Sequence, residues 1–122
     1  MTTPLKVLLV EDEAIIAMRM EMELESRGYT VCQSVSNGED AIKSAEAHHP
    51  DVVLMDIRLA GRMDGIEASQ RILAIQPVSI IFMSGYADEA VKARAMELSP
   101  LGYLEKPINM DRLASTIQSA AG

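Results

Sequence analysis

Five short apolar runs recur along the chain, and each gives way to polar residues at its carboxyl end. Lys6-Val7-Leu8-Leu9-Val10 stops at Glu11-Asp12-Glu13, and Val52-Val53-Leu54-Met55 stops at Asp56. Residues 78–83 run into Ser84-Gly85, and Gly102–Glu105 runs into Lys106-Pro107. Thr30–Val35 is less apolar and ends in the turn signal Ser36-Asn37-Gly38. Near-continuous apolar runs of this length fit strands covered on both faces, as in a parallel sheet.

Helix-forming stretches separate the runs. They are predicted at 13–27, closed by Gly28, and at 39–47, broken by His48-His49-Pro50. Three more are predicted at 66–75 (ended by Pro77), 88–98 (ended by Ser99-Pro100) and 110–120. In the first, Ile16, Met20 and Leu24 stand at i, i+4 and i+8 and share one buried face. Strict strand–helix alternation with short connections predicts an α/β fold. It is a single doubly wound, five-stranded parallel sheet with helices on both faces. Residues 1–122 read as one domain, without repeats, linkers or low-complexity tracts.

Composition narrows the classes of function. At 48% apolar and 24% charged, 122 residues suffice for a packed core without disulfides or a structural metal. Cys32 is the only cysteine, which removes an internal disulfide and a cysteine-type zinc site and implies a reducing, cytoplasmic setting. No apolar run approaches the roughly 20 residues that span a bilayer, and the N-terminus lacks a secretion signal, so no membrane is expected. A net charge of −7 and only 3% aromatic residues argue against direct nucleic-acid binding.

The polar residues fall at one repeated position. In an open parallel sheet the carboxyl ends of the strands share one edge, where ligands bind. Glu11, Asp12, Asp56, Ser84 and Lys106 therefore converge on one pocket from four distant segments. Clustered carboxylates repel, so at least one should have a raised pKa unless cations compensate. Lys106 supplies one charge. A hard divalent cation with oxygen ligands, magnesium rather than zinc, would supply the rest. A carboxylate, a divalent metal, a lysine and a hydroxyl are the parts needed for phosphoryl transfer to an aspartate nucleophile.

At these residues the chain resembles the response-regulator receiver family (CheY-like, of two-component signalling) over nearly its whole length. The matching stretches are Val7-Leu8-Leu9-Val10-Glu11-Asp12-Glu13, Val53-Leu54-Met55-Asp56-Ile57-Arg58-Leu59, Met63-Asp64-Gly65, Ile81-Phe82-Met83-Ser84-Gly85 and Gly102-Tyr103-Leu104-Glu105-Lys106-Pro107. Each is weak alone. In this order and at these distances they are specific. The resemblance implies a flavodoxin-like strand order, 2-1-3-4-5. It implies Asp56 as phosphoacceptor, and Mg2+ (with Mn2+ as substitute) held by Glu11, Asp12, Asp56 and the Arg58 backbone carbonyl. Lys106 contacts the phosphoryl group, Pro107 follows it through a cis bond, and Ser84 and Tyr103 act as the switch. Sensor histidine kinases or histidine phosphotransfer proteins are the implied donors. The α4-β5-α5 surface is the implied output, and a homodimer formed on phosphorylation stays open. Stand-alone regulator, phosphorelay shuttle and receiver excised from a longer protein also stay open. The chain departs from the commonest pattern in three ways. Glu11 stands where Asp is most frequent and Ser84 where Thr is common, and the loop from Leu59 to Gly65 lacks the usual proline and is one residue longer.

Plainer readings exist for each residue. Glu11-Asp12-Glu13 could merely favour a helix N-terminus, Asp56 could cap a turn, and Ser84-Gly85 and Lys106-Pro107 could be ordinary turns. Tyr103 could be core. None of these explains why all the polar residues fall at strand ends. His48 and His49 read as a solvated loop, and Cys32 as a small buried residue. Met18, Met20 and Met22 read as part core, part surface. Two other functions compete. An aspartyl-nucleophile phosphatase usually carries a second Asp two residues after the first, where Arg58 stands here, so turnover on external substrates is not expected. A non-phosphorylated interaction domain with a vestigial pocket would not need the intact set. A dinucleotide site is excluded, since no G-x-G-x-x-G follows the first strand.

Arg58 and Tyr86 occupy the positions two residues after Asp56 and two after Ser84. In the family these positions tune hydrolysis of the acyl phosphate, and bulky side chains there should shield it. Changing both to Ala is expected to speed decay of the phosphorylated protein. An unchanged decay rate sinks the shielding idea.

Overall fold

The computed structural model describes residues 4–85 and 88–121. Its elements alternate throughout: β1 (Lys6–Val10), α1 (Ala14–Ser26), β2 (Thr30–Val35), α2 (Gly38–His48), β3 (Val52–Asp56), α3 (Gly65–Ile75), β4 (Ser79–Ser84), α4 (Glu89–Met96), β5 (Gly102–Glu105) and α5 (Met110–Ala121). The strands form one parallel sheet in the order β2-β1-β3-β4-β5, as expected. None of its helices is long and apolar enough to cross a membrane, among the described residues.

Alternation along each strand sends side chains to two separate cores. Leu8, Val10, Val53, Met55, Ile80 and Phe82 face one side, where Ala41 and Ala45 of α2, Ile66 and Ile72 of α3, and Ala95 of α4 cover them. Val7, Leu9, Val52, Leu54, Ile81 and Met83 face the other, against Met20 and Leu24 of α1 and Leu113 and Ile117 of α5. Burial on both faces explains why the central runs are continuous rather than alternating.

Helix ends differ by a residue or two from the sequence expectation, for capping reasons. Asp88 lies outside α4 because its Oδ1 accepts from the N–H groups of Ala90 and Val91. Asn37 and Asp64 cap α2 and α3 in the same way. Arg27 closes α1, and Gly28 follows at φ 94, the left-handed position that favours glycine. Two readings need correction. His48 is not in a loop but is the last residue of α2, half-buried, with His49 as the left-handed cap at φ 49. Cys32 is only half-buried, because β2 is an edge strand; its Sγ donates to the Val7 carbonyl at 3.5 Å, and burial pushes the thiol pKa up.

The connection from β3 to α3 is pinned on both sides. Ala60 forms an isolated parallel bridge with Asn37, and Met63 packs its thioether onto Gly38. Gly65 donates its N–H to the Ile57 carbonyl at 2.8 Å, and a Cβ on Gly65 would overlap the Asp56 carbonyl oxygen. That neighbour is backbone and cannot swing aside. Gly65→Ala is therefore expected to cost about 1–3 kcal/mol, the usual range for overpacking. Urea unfolding checks this, and an unchanged midpoint would contradict the close approach.

Candidate functional site

The carboxyl ends of β1, β3, β4 and β5 meet at one edge of the sheet. Val10 is level with Met55, Asp56 with Met83, and Ser84 with Glu105. The residues following these positions therefore enter one space. Glu11 and Asp56 are almost completely buried, at 2% and 3% exposure, while Asp12 is exposed. Glu11, Asp12 and Asp56 each offer a carboxylate oxygen, and the three oxygens lie within 4.8 Å of one another.

Lys106 joins the carboxylates. Its Nζ donates to Asp56 Oδ2 at 2.9 Å and stands 2.8 Å from Glu11 Oε1. The second contact is a charge contact only, since Glu11 Oε1 has no hydrogen-bond partner among the described residues. Glu11 Oε2 accepts from Glu13 N–H at 3.2 Å, and Asp56 Oδ1 from Arg58 N–H at 3.2 Å. The Lys106–Pro107 peptide is cis.

The electrostatics are unbalanced. Burial pushes the Asp56 pKa up to about 7; Lys106 offsets part of this, and Glu11 adds to it. Burial also acts to raise Glu11, but Lys106, Asp56 and the Glu13 N–H outweigh it and leave its pKa lowered. Burial works against the Lys106 charge, yet the two carboxylates keep its pKa raised. One ammonium thus helps to keep Glu11 ionised and leaves Asp56 reluctant to ionise. The expected raised pKa is present, with desolvation as its largest cause ahead of like-charge repulsion.

The donor set suits a hard divalent cation. It consists of oxygen ligands alone, and no hydrogen bond among the described residues occupies the lone pairs of the buried Glu11 Oε1. Glu11, Asp12 and Asp56 are the residues that would hold the ion.

Other expected residues sit around this group. Ser84 is buried at the end of β4 and lines a cavity with Arg58, Val91 and Arg94. Tyr103 is half-buried on β5 against the core, with Lys92 Nζ 5.5 Å from its ring centroid. Tyr86 lies outside the described residues. Sequence reasoning missed Arg94. Its guanidinium pairs with Asp64 at 3.6 Å and ties α4 to the cap of α3. Its only sequence signal is the i, i+3, i+6 spacing with Asp88 and Val91.

Comparison with known proteins settles the family. The family model described as response regulator receiver domain matches residues 7–118. The chain belongs to the response regulator receiver family. It is similar to the transcriptional regulatory protein PdtaR of Mycobacterium tuberculosis, at 32% identity over 117 residues, covering 96% of this chain and 57% of that protein. It is also similar to the positive alginate biosynthesis regulatory protein of Pseudomonas aeruginosa, at 33% identity, covering 96% of this chain and 47% of that protein. The chain thus spans about half the length of these curated relatives. Among solved structures, the signal receiver domain of a modulated diguanylate cyclase from Desulfovibrio desulfuricans superposes with a TM-score of 0.91 at 38% identity, covering 97% of this chain and 94% of that one. This receiver domain is therefore a regulator module of two-component signalling.

The raised Asp56 pKa gives this receiver domain a pH signature when metal is absent. Folded Asp56 titrates near about 7, whereas the unfolded residue titrates near ~3.9. Between those values the folded state holds more protons, so this residue's contribution to stability falls as pH rises. Asp56→Asn removes that contribution. The variant is expected to match wild type near about pH 4 and to unfold at higher denaturant near about pH 8. Equal midpoints at the higher pH would contradict the raised pKa.

Proposed function

We propose that Asp56 is the phosphoacceptor, and that this receiver takes a phosphoryl group from a phosphohistidine on a sensor kinase or histidine phosphotransfer protein. The observation that carries this reading is the Lys106 ammonium at 2.9 Å from the buried Asp56 carboxylate, with the Glu11 and Asp12 carboxylates beside it. An Asp56 oxygen attacks phosphorus, the P–N bond to the donor imidazole breaks, and the nitrogen leaves with the electron pair. Lys106 neutralises charge on the transferring oxygens as the acyl phosphate forms.

Mg2+, or Mn2+ in its place, is the cofactor of this reading, held by Glu11, Asp12, Asp56 and the Arg58 carbonyl. When bound it neutralises further charge on the phosphoryl oxygens. Asp12 is the exposed member of the set and lets the ion enter and leave with its waters. Arg58 N–H holds one Asp56 oxygen in place during attack. After transfer, Ser84 hydrogen-bonds the phosphoryl group and Tyr103 turns inward. The face formed by α4, β5 and α5 then presents a changed surface to a partner. Pairing of two phosphorylated copies through that face belongs to the same reading.

Intact mass after incubation with a small acyl-phosphate donor tests the chemistry. Wild type is expected to gain one phosphoryl mass only with magnesium present, and Asp56→Ala to gain none. Lys106→Ala should slow the gain by about 10²-fold, the usual loss for one removed electrostatic donor. Equal labelling of Asp56→Ala and wild type overturns the assignment.

A further inference from the structure

Beside the phosphoacceptor lies a second cavity, of about 300 Å³, between the loop that follows β3 and the start of α4. Its walls carry Arg58, Arg62 and Arg94. The whole chain has 11 lysines and arginines against 18 acids. Three arginines around one small space are therefore a local reversal of the chain's charge. Gly61, at φ 91, makes the turn that precedes Arg62.

Two acids share the cavity, and both are already engaged. Asp64 caps α3, with Oδ1 accepting from the Glu67 N–H at 2.8 Å, and its Oδ2 faces Arg94 at 3.6 Å. Asp88 caps α4, with Oδ1 accepting from the Ala90 and Val91 N–H groups. Arg62 differs from its neighbours. It is exposed and enters no ion pair among the described residues. Its planar guanidinium matches a carboxylate or phosphate with two parallel hydrogen bonds.

The cavity borders the reacting groups. Its wall includes Ser84, the last residue of β4, and the preceding Met83 is level with Asp56. Arg58 lines it too, and the Arg58 N–H donates to Asp56 Oδ1 at 3.2 Å. A molecule reacting at Asp56 can therefore extend into this space. The volume is at the low end for small-molecule pockets and admits a small acid, not a helix.

We propose that this cavity selects a class of phosphodonor: acyl phosphates whose acid part carries a second anionic group, a carboxylate or phosphate, which Arg62 holds. The inference rests on Asp56 being the phosphoacceptor. An Asp56 oxygen attacks phosphorus, the P–O bond to the donor's acid breaks, and the acid leaves as a carboxylate with the electron pair. One acyl phosphate is exchanged for another, so no oxidant, reductant or further reactant takes part. Arg62 touches the far end of the donor rather than the reacting atoms, and so acts on specificity. The flanking Arg58 and Arg94 charges favour the same anion.

The probes are 3- and 4-carboxybenzoyl phosphate, each paired with its methyl ester, which keeps the shape nearly unchanged and removes one negative charge. Intact mass against time, with magnesium present, reads labelling of the full chain. At least one carboxylated donor is expected to label wild type about tenfold faster than its ester, the lower end for a charge-assisted hydrogen bond. General repulsion by a chain of net charge −7 predicts the opposite order. Arg62→Gln should abolish the preference and leave labelling by the ester unchanged, and Arg62→Lys should keep part of it. Added salt should reduce the wild-type preference. Arg62 is exposed, so the fold persists, and an unchanged circular dichroism spectrum verifies that. Equal or slower labelling of wild type by both carboxylated donors overturns the proposal, and so does a preference that survives in Arg62→Gln. The esters check the phosphoacceptor reading separately: they should label wild type and not Asp56→Ala, and no labelling of wild type overturns both.

Discussion

One ammonium held between two buried carboxylates is the contact on which this receiver's pocket depends. Lys106 Nζ lies 2.9 Å from Asp56 and 2.8 Å from Glu11, and both acids are almost without solvent. Burying an ion costs several kcal/mol unless a partner compensates, and a single ammonium cannot compensate two. The deficit appears as the Asp56 pKa of about 7. The protein groups of the pocket alone therefore leave its charges unbalanced. Its donors face one another, and one Glu11 oxygen has no hydrogen-bond partner among the described residues, an arrangement that suits a hard cation.

Strand order decides which residues can meet this way. β1 and β3 are neighbours, so Glu11 and Asp56 come together through backbone register alone. β5 is not a neighbour of β3, because β4 lies between them. Lys106 must therefore reach over the end of β4, which a flexible four-carbon stem allows. Ser84 ends that intervening strand, and its carbonyl accepts from the Lys106 N–H at 2.7 Å. Asp56 thus meets Lys106 at its carboxylate and pairs with β4 at Met83 through its backbone.

Much of this was legible in the sequence, because parallel strands bury both faces and leave polar residues only where they end. The five apolar runs gave the strands, and their polar terminators gave Glu11, Asp56, Ser84 and Lys106 as neighbours across up to 95 positions of chain (106 minus 11). What stayed hidden depends on contacts between loops. Nothing in the spacing of Met63 shows that it covers Gly38, nor in that of Ala60 that it bridges Asn37. Arg94 went unnoticed, since its partner Asp64 lies 30 residues away (94 minus 64) on another element. Cys32 looked buried because apolar neighbours do not reveal that a strand is at the edge. His48 looked like loop because Pro50 follows, yet the left-handed cap at His49 absorbs the break and lets α2 run one residue further.

The loop after Asp56 is held by contacts of very different stiffness. Beneath Gly65 the Asp56 carbonyl leaves no room for even a methyl group, and such packing does not deform by small degrees. Toward α2 the loop is fixed by a backbone bridge and by the Met63 side chain on Gly38. Toward α4 it is held by Asp64 and Arg94, at 3.6 Å and with both side chains substantially exposed. An exposed pair of that kind contributes about 0–1 kcal/mol. The Asp64–Arg94 link is therefore an exposed side-chain contact, whereas the bridge to Asn37 is backbone. It ties the loop to α4, the helix that follows β4 and Ser84 along the chain.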